Sequence, residues 1–234
     1  MQAVSLFDTL TFTPADADLF TCSIPDLESE DNLVVRAVKA FGKHTPVAIH
    51  LEKKIPMEAG LGGGSSNAAT TLFALNELNG SPYTLQELMK IGATLGADVP
   101  FFFSDGCAIC EGIGDNVSPS DISYSGYIIK PRFGVSTQDA YQGCTPIDDE
   151  ELLLFHNDLE KGVFQKDERM AITKEELLQV FDRVVMTGSG SAFFCIGNIT
   201  DAISQKYTTF HTQPVLRNTG KWYDVETKHV VHTN

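Results

Sequence analysis

The stretch PMEAGLGGGSSNAATTLFAL, residues 56–75, sets the tightest limit on how this chain can fold. Four glycines and a pair of serines run into an unbroken series of helix formers, so a loop must open directly into a helix. Upstream, Val47–Ile55 reads as a strand that Pro56 ends. The unit is strand, glycine loop, helix. A helix start leaves about four backbone N–H groups without intrahelical acceptors, and aligned peptide dipoles add roughly half a positive charge there. Glycines let an anion approach the backbone closely. Ser65 and Ser66 add hydroxyl donors at the first turn, and Asn67 caps or contacts a ligand. The stretch therefore reads as an anion cradle, with a plain flexible loop as the alternative. It contains no lysine, and neither G-x-x-x-x-G-K-[ST] nor G-x-G-x-x-G fits it.

Around this unit the pattern predicts an α+β protein. Residues 4–13 alternate as a half-buried strand, and Leu19–Ile24 forms a second. NLVVRAVKAF has helical spacing, with Asp31 as N-cap and Gly42 as stop. The loop helix runs from about Ser65 to Leu78 and closes on Asn79-Gly80, and Thr84 to Glu87 has the spacing of a capping box opening a helix to Leu95. Phe101 to Ile129 is rich in strand formers. Beyond it, helices are expected at 136–142, 149–154, 158–164 and 174–182. Further strands are expected at Val184–Met186, Ser191–Ile196, 206–210 and 214–217. A break near Pro131 divides the chain into residues 1–130 and 131–234.

Composition narrows the function classes. A net charge of −14 repels nucleic-acid backbones, which argues against nucleic-acid binding. Apolar runs fall short of a membrane span, and no signal peptide begins the chain. Five scattered cysteines argue for a reducing cytoplasm. Cys107 and Cys110 form a C-x-x-C, but strand-like residues separate them and no second pair completes a metal site, so buried packing is the favoured reading.

Two further stretches carry chemistry. In LGADVPFFFSDG, residues 95–106, Asp98 stands between a helix end and three phenylalanines. An acid in such company is costly unless paired, ligated or used, and helix capping is the alternative. MTGSGSAFF, residues 186–194, is a small-residue turn suited to packing tightly against a ligand or another loop.

Together these stretches resemble the GHMP kinase superfamily. The superfamily's phosphate loop corresponds to Pro56, Met57, Glu58, Ala59, Gly60, Leu61, Gly62, Gly63, Gly64, Ser65 and Ser66, and its C-terminal glycine motif to Thr187-Gly188-Ser189-Gly190. The match is nearest to the methylerythritol branch, which carries GLGGGSSNAAT, LGADVPFF, an EGIGD-like turn (Glu111–Asp115), N-D-x-E (Asn157–Glu160) and TGSG, all present here in order. Homoserine or mevalonate kinase is the runner-up within the superfamily.

The resemblance implies a two-lobed fold, with an N-terminal lobe like the second domain of ribosomal protein S5 and a ferredoxin-like C-terminal lobe. It implies a cytoplasmic small-molecule kinase of the non-mevalonate isoprenoid pathway. Such an enzyme moves the γ-phosphate of ATP, with Mg2+, to the 2-hydroxyl of a cytidine-diphosphate-linked methylerythritol. Pro56–Ser66 would cradle the phosphates, Asn32, Leu33 and Lys53 would lie by the nucleotide, and Asp98 would be the catalytic aspartate. Gly134, Val135, Ser136 and Thr137 would form the cytidine-side wall. No metal ligands are identified. The expected state is a monomer or weak homodimer. Members of the superfamily begin with about thirty more residues, including a P-A-K-[IL]-N-L strand whose lysine partners the catalytic aspartate. The opening at Met1-Gln2-Ala3-Val4 therefore predicts weak or absent turnover, or a non-catalytic nucleotide-binding remnant.

Overall fold

A computed structural model describes residues 1–111, 116–136, 140 and 156–216, with the backbone of 230–233. The chain divides into two compact units. The first comprises Met1–Ile55, Gly62–Ser123 and Pro214–Asn234; the second comprises Pro56–Leu61 and Tyr124–Gln213.

In the first unit, β1 (Asp8–Pro14) and β3 (Val47–Glu52) alternate in burial as a half-buried sheet requires, and β2 (Leu19–Cys22) flanks β3 with Cys22 buried. Leu10 and Phe12 face inward opposite Leu51 and Ile49. Helix α1 (Leu33–Phe41) buries Val34, Ala37, Val38 and Phe41, one helical stripe. Its cap is Asn32 rather than Asp31, because the Asn32 Oδ1 accepts from the Val34 amide at 2.9 Å. Helix α2 (Gly63–Leu78) is buried on nearly every side, packed against α1, β1 and α3 (Leu85–Leu95). It ends in a Schellman motif, with Gly80 and Ser81 amides donating to the Glu77 and Asn76 carbonyls. The capping box of Thr84 and Glu87 is present at α3.

The phenylalanine block differs from the strand-rich expectation. Pro100–Phe103 is a 3-10 turn, with Pro100 pre-set for a helical start, and all three phenylalanines are buried. A hairpin of β4 (Ala108–Glu111) and β5 (Asn116–Pro119) follows.

The second unit contains β6 (Gly126–Lys130), α4 (Leu159–Lys166), α5 (Glu168–Leu178), β7 (Arg183–Met186), β8 (Phe193–Ile196), α6 (Asp201–Lys206) and β9 (Thr208–Thr212). Helix α5 starts earlier than the sequence pattern suggests because Asp167 caps it, accepting from the Arg169 amide. Strands β7, β8, β6 and β9 form an antiparallel sheet in that order. Ile129, Val163, Met170, Leu177, Phe193 and Cys195 fill its core. Burial pushes the Cys195 thiol up to about 12, which makes it a packing residue at neutral pH.

The tail then returns: β10 (Val230–Thr233) pairs with β1, so the first sheet runs β10-β1-β3-β2. The architecture is α+β, as expected. In place of one break near Pro131, the chain leaves the first unit after Ser123 and re-enters it at Pro214. The expected strand at 4–13 begins only at Asp8, and the one at 214–217 is reduced to a bridge between Val4 and Pro214. The expected helix at 149–154, most of that at 136–142, and the EGIGD-like turn after Glu111 lie outside the described residues. Among the described residues, no helix is long and apolar enough to cross a membrane.

Candidate active site

The glycine loop is entered from β3 through Lys53, Lys54 and Ile55, and these residues are gathered by Asp8 at the start of β1. Asp8 is 0% exposed. Its Oδ1 accepts from the amides of Lys54 at 2.7 Å and Ile55 at 2.8 Å, and its Oδ2 accepts from the Asn67 side-chain amide at 2.9 Å. The Lys53 ammonium stands 3.0 Å from Oδ2 and also donates to the Ile55 carbonyl. A buried carboxylate without partners would cost several kcal/mol, on the order of the desolvation penalty of one ion; here both oxygens are occupied. Burial holds the Lys53 ammonium below its ordinary value, with Asp8 opposing that shift.

Helix α2 starts on Gly62, at φ 65°, with no side-chain cap. Its first amides therefore point outward without an acceptor from the N-cap residue. Gly63 and Gly64 let three side chains close in: an added Cβ would meet Ile55 Cγ2 at 3.1 Å and Lys53 Nζ at 3.4 Å, or Leu33 Cδ1 at 3.2 Å. Leu33 and Lys53 are thus brought to the glycine-lined helix start. Asn32 precedes Leu33, but its side chain is occupied, capping α1 and donating to the Leu27 carbonyl. Ser66 and Asn67 are buried.

Asp98 lies in the turn between α3 and the 3-10 turn. Neighbouring Gly96 approaches the Ser65 hydroxyl, which lies 3.9 Å from where its Cβ would be. Among the described residues, Asp98 accepts no hydrogen bond and forms no ion pair. No side chain caps the 3-10 turn, so capping does not account for Asp98. Burial pushes its carboxyl above the usual range. A partly buried carboxylate kept ready to take a proton has the properties of a general base.

In the second unit, the loop's first half, Pro56–Leu61, meets the TGSG turn. The Thr187 hydroxyl donates to the Ala59 carbonyl at 2.6 Å, and the Ser191 amide donates to the Glu58 carbonyl at 3.1 Å. Gly60, at φ 64°, lies so close that an added Cβ would collide with the Thr187 carbonyl oxygen and stand 2.8 Å from the Gly190 nitrogen. The turn packs against another loop, one of the two expectations for it. Behind it, the Asn157 side-chain amide donates to the Met186 and Gly188 carbonyls, both at 2.7 Å. Glu160 accepts from the Met186 amide at 2.8 Å and pairs with Lys174. Gly134, Val135 and Ser136 line a cavity of about 190 Å³ with Val163, Lys166 and Asp167. The Glu58 carboxylate packs on Gly134. Thr137 lies outside the described residues.

Residues 32–106 match the GHMP kinases N terminal domain. A crystal structure of a 4-(cytidine 5'-diphospho)-2C-methyl-D-erythritol kinase superposes with a TM-score of 0.74 at 28% identity, covering 92% of this chain and 88% of the other. A mevalonate kinase superposes with a TM-score of 0.65 at 14% identity, covering 93% and 92%, a likeness of fold alone. A 4-diphosphocytidyl-2-C-methyl-D-erythritol kinase from Protochlamydia amoebophila (strain UWE25) is 41% identical over 239 residues, covering 95% of this chain and 82% of its relative. The chain belongs to the 4-diphosphocytidyl-2-C-methyl-D-erythritol kinase family.

As a member of that family it is a phosphotransferase, and one residue at its candidate site, Asp8, escapes motif reading. Asp8 reads as one more residue of an alternating strand. Its signal was register: it shares the inward face with Leu10 and Phe12, where an acid is out of place. In this kinase the N-D-x-E motif has a visible task, holding the TGSG turn through Asn157 and Glu160.

Proposed function

We propose that this chain transfers the γ-phosphate of ATP to the 2-hydroxyl of 4-diphosphocytidyl-2-C-methyl-D-erythritol, in the non-mevalonate route to isoprenoid precursors. The observation that carries this reading is Asp98, a carboxylate with a raised pKa and no hydrogen-bond acceptor duty among the described residues, in the turn whose Gly96 approaches Ser65 at the uncapped start of α2. Phosphoryl transfer asks a protein mainly to position and neutralise charge. The amides of Gly63, Gly64 and Ser65 bind phosphate oxygens, and the glycines leave the room that a Cβ would fill. Lys53 contributes a cation beside them, and Leu33, with the backbone of Asn32, faces the nucleotide. Asp98 accepts the proton of the attacking hydroxyl as that oxygen bonds to phosphorus. Gly134–Thr137 form the cytidine side. Mg2+ comes bound to the ATP phosphates, as is usual for that ion, and neutralises charge on them; the hydroxyls of Ser65 and Ser66 suit it as neutral oxygen donors. The kinase works in the cytoplasm as a monomer or weak homodimer.

The test supplies ATP with the cytidylated methylerythritol, homoserine or mevalonate as acceptor. Phosphorylation of the first alone is expected, and a preference for either of the others overturns the acceptor assignment. Asp98→Asn should then lower turnover by about 10²- to 10⁴-fold, the usual contribution of a general base, while ATP affinity stays within about threefold of wild type. Unchanged turnover removes Asp98 from the mechanism.

A further inference from the structure

The residues that Asp8 holds have a particular place in the sequence. Lys54 and Ile55 immediately precede the glycine loop, and Asn67 immediately follows it, on α2. One carboxylate therefore ties together the two ends of Pro56–Ser66. The same carboxylate faces the ammonium of Lys53, which stands beside Gly63 at the helix start. At 0% exposure Asp8 cannot touch a substrate. Nor does stability alone ask for charge at this position. A buried ion pair is commonly matched or bettered by apolar residues of similar volume, because each ion must first be stripped of water.

We propose that Asp8 is a positioning residue for nucleotide binding, fixing the spacing of the loop's two ends and aiming the Lys53 ammonium at the helix start. This rests on the reading of the loop as the ATP phosphate cradle. A loop whose ends are already fixed loses less conformational entropy when it closes on a ligand, so the gain falls on affinity. The Lys53 cation, desolvated and held by one counter-ion, is presented where phosphate negative charge arrives. Asp8 acts through Lys53, the Lys54 and Ile55 amides and Asn67, and takes no part in the proton transfer assigned to Asp98.

The experiment uses the full chain with three changes: Asp8→Asn, Lys53→Met, and both together. ATP with Mg2+ and, separately, cytidine diphosphate are titrated calorimetrically, and thermal melting is recorded on the same samples. Asp8→Asn leaves Lys53 buried without its counter-ion, so its Tm falls and its Kd for ATP rises at least tenfold. In the double variant no buried charge remains uncompensated, and the Tm recovers. The inference requires that ATP affinity there be at least tenfold weaker than wild type and weaker than in Lys53→Met alone, while the Kd for cytidine diphosphate remains within twofold of wild type. A double variant that melts like wild type and binds ATP within twofold of it shows a purely structural Asp8 and overturns the inference. A wild-type chain that binds no ATP overturns the cradle reading, and the inference falls with it. If Asp8→Asn proves too unstable to isolate, the double variant is judged against Lys53→Met alone, and equal ATP affinity in those two overturns the inference.

Discussion

Pro56–Leu61 and Gly62–Ser66 are consecutive in the chain, yet they are held by different chemistry. The first half lies in the second unit and is latched by neutral groups: the Thr187 hydroxyl, the Ser191 amide and the close approach of Gly60 to the TGSG turn. The second half lies in the first unit, where a fully buried carboxylate and its lysine organise the ground around the helix start. Neutral latches are short-ranged and depend on fit, so they respond steeply to added volume. A buried ion pair tolerates small shifts in position but is strongly destabilised by loss of either member. The TGSG turn has its own neutral support in Asn157, whereas Glu160, paired with Lys174, brings charge to the Met186 amide that precedes the turn.

The contrast is broken most forcefully at Gly60. Alanine there must adopt a left-handed conformation and place its methyl group against the Thr187 carbonyl, two penalties that together amount to about 3 kcal/mol. Urea unfolding should register that loss, and ATP affinity should fall more than tenfold as the latch opens. A Gly60→Ala variant as stable as wild type means that the turn and the loop half do not fit as tightly as described. Next comes Asn157→Ala, which strips the Met186 and Gly188 carbonyls of their donor; about 1–2 kcal/mol is expected, most of it at the part-buried Met186 bond, since the Gly188 bond is exposed. Asn157→Asp tests the same point differently. An acid supplies no N–H for these carbonyls, so it should be no better than alanine.

These latches explain what could be read from the sequence and what could not. Local rules located most elements of the first unit: the alternation of Leu10 and Phe12, the stripe of Val34 to Phe41, and the capping box at Thr84. The glycine loop, Asp98 and the TGSG turn stood out because glycine runs and an acid among phenylalanines are locally anomalous. What stayed hidden was long-range. Nothing near Asp8 in sequence announces Asn67 as its partner, and nothing near Val230 announces a strand beside β1. The Phe101–Phe103 run has high strand propensity, but Pro100 and the packing of all three rings make it a 3-10 turn.

A smaller effect of opposite sign is expected at Asp98. Burial raises its folded-state pKa above the unfolded value, so its contribution to stability is fully present below the unfolded pKa and is lost as pH rises through the folded one. At neutral pH the ionised group is a liability to the fold. Asp98→Asn should therefore melt above wild type at pH 8, and the difference should shrink on acidification. Equal melting temperatures at pH 8 place Asp98 in water rather than in a desolvated turn. The same variant is expected to lose turnover, so activity and stability move in opposite directions at one residue.

The smallest effect gives the scale for the rest. Gly80 ends α2 at φ 79° with nothing within 4 Å of an added Cβ. Alanine there pays only for the left-handed conformation, about 1 kcal/mol. Gly62, at φ 65°, carries the same conformational cost and adds contact with the edge of the buried Phe102 ring at 3.1 Å. Unfolding measurements on Gly60→Ala, Gly62→Ala and Gly80→Ala form a series in which the backbone term is nearly constant and the neighbour changes from a colliding backbone carbonyl to a ring edge at 3.1 Å to solvent. Subtracting the Gly80 value leaves the packing cost of each loop half. A Gly62 remainder as large as that of Gly60 would mean that the helix start is latched as rigidly as the TGSG side, and the distinction between the two halves would be lost.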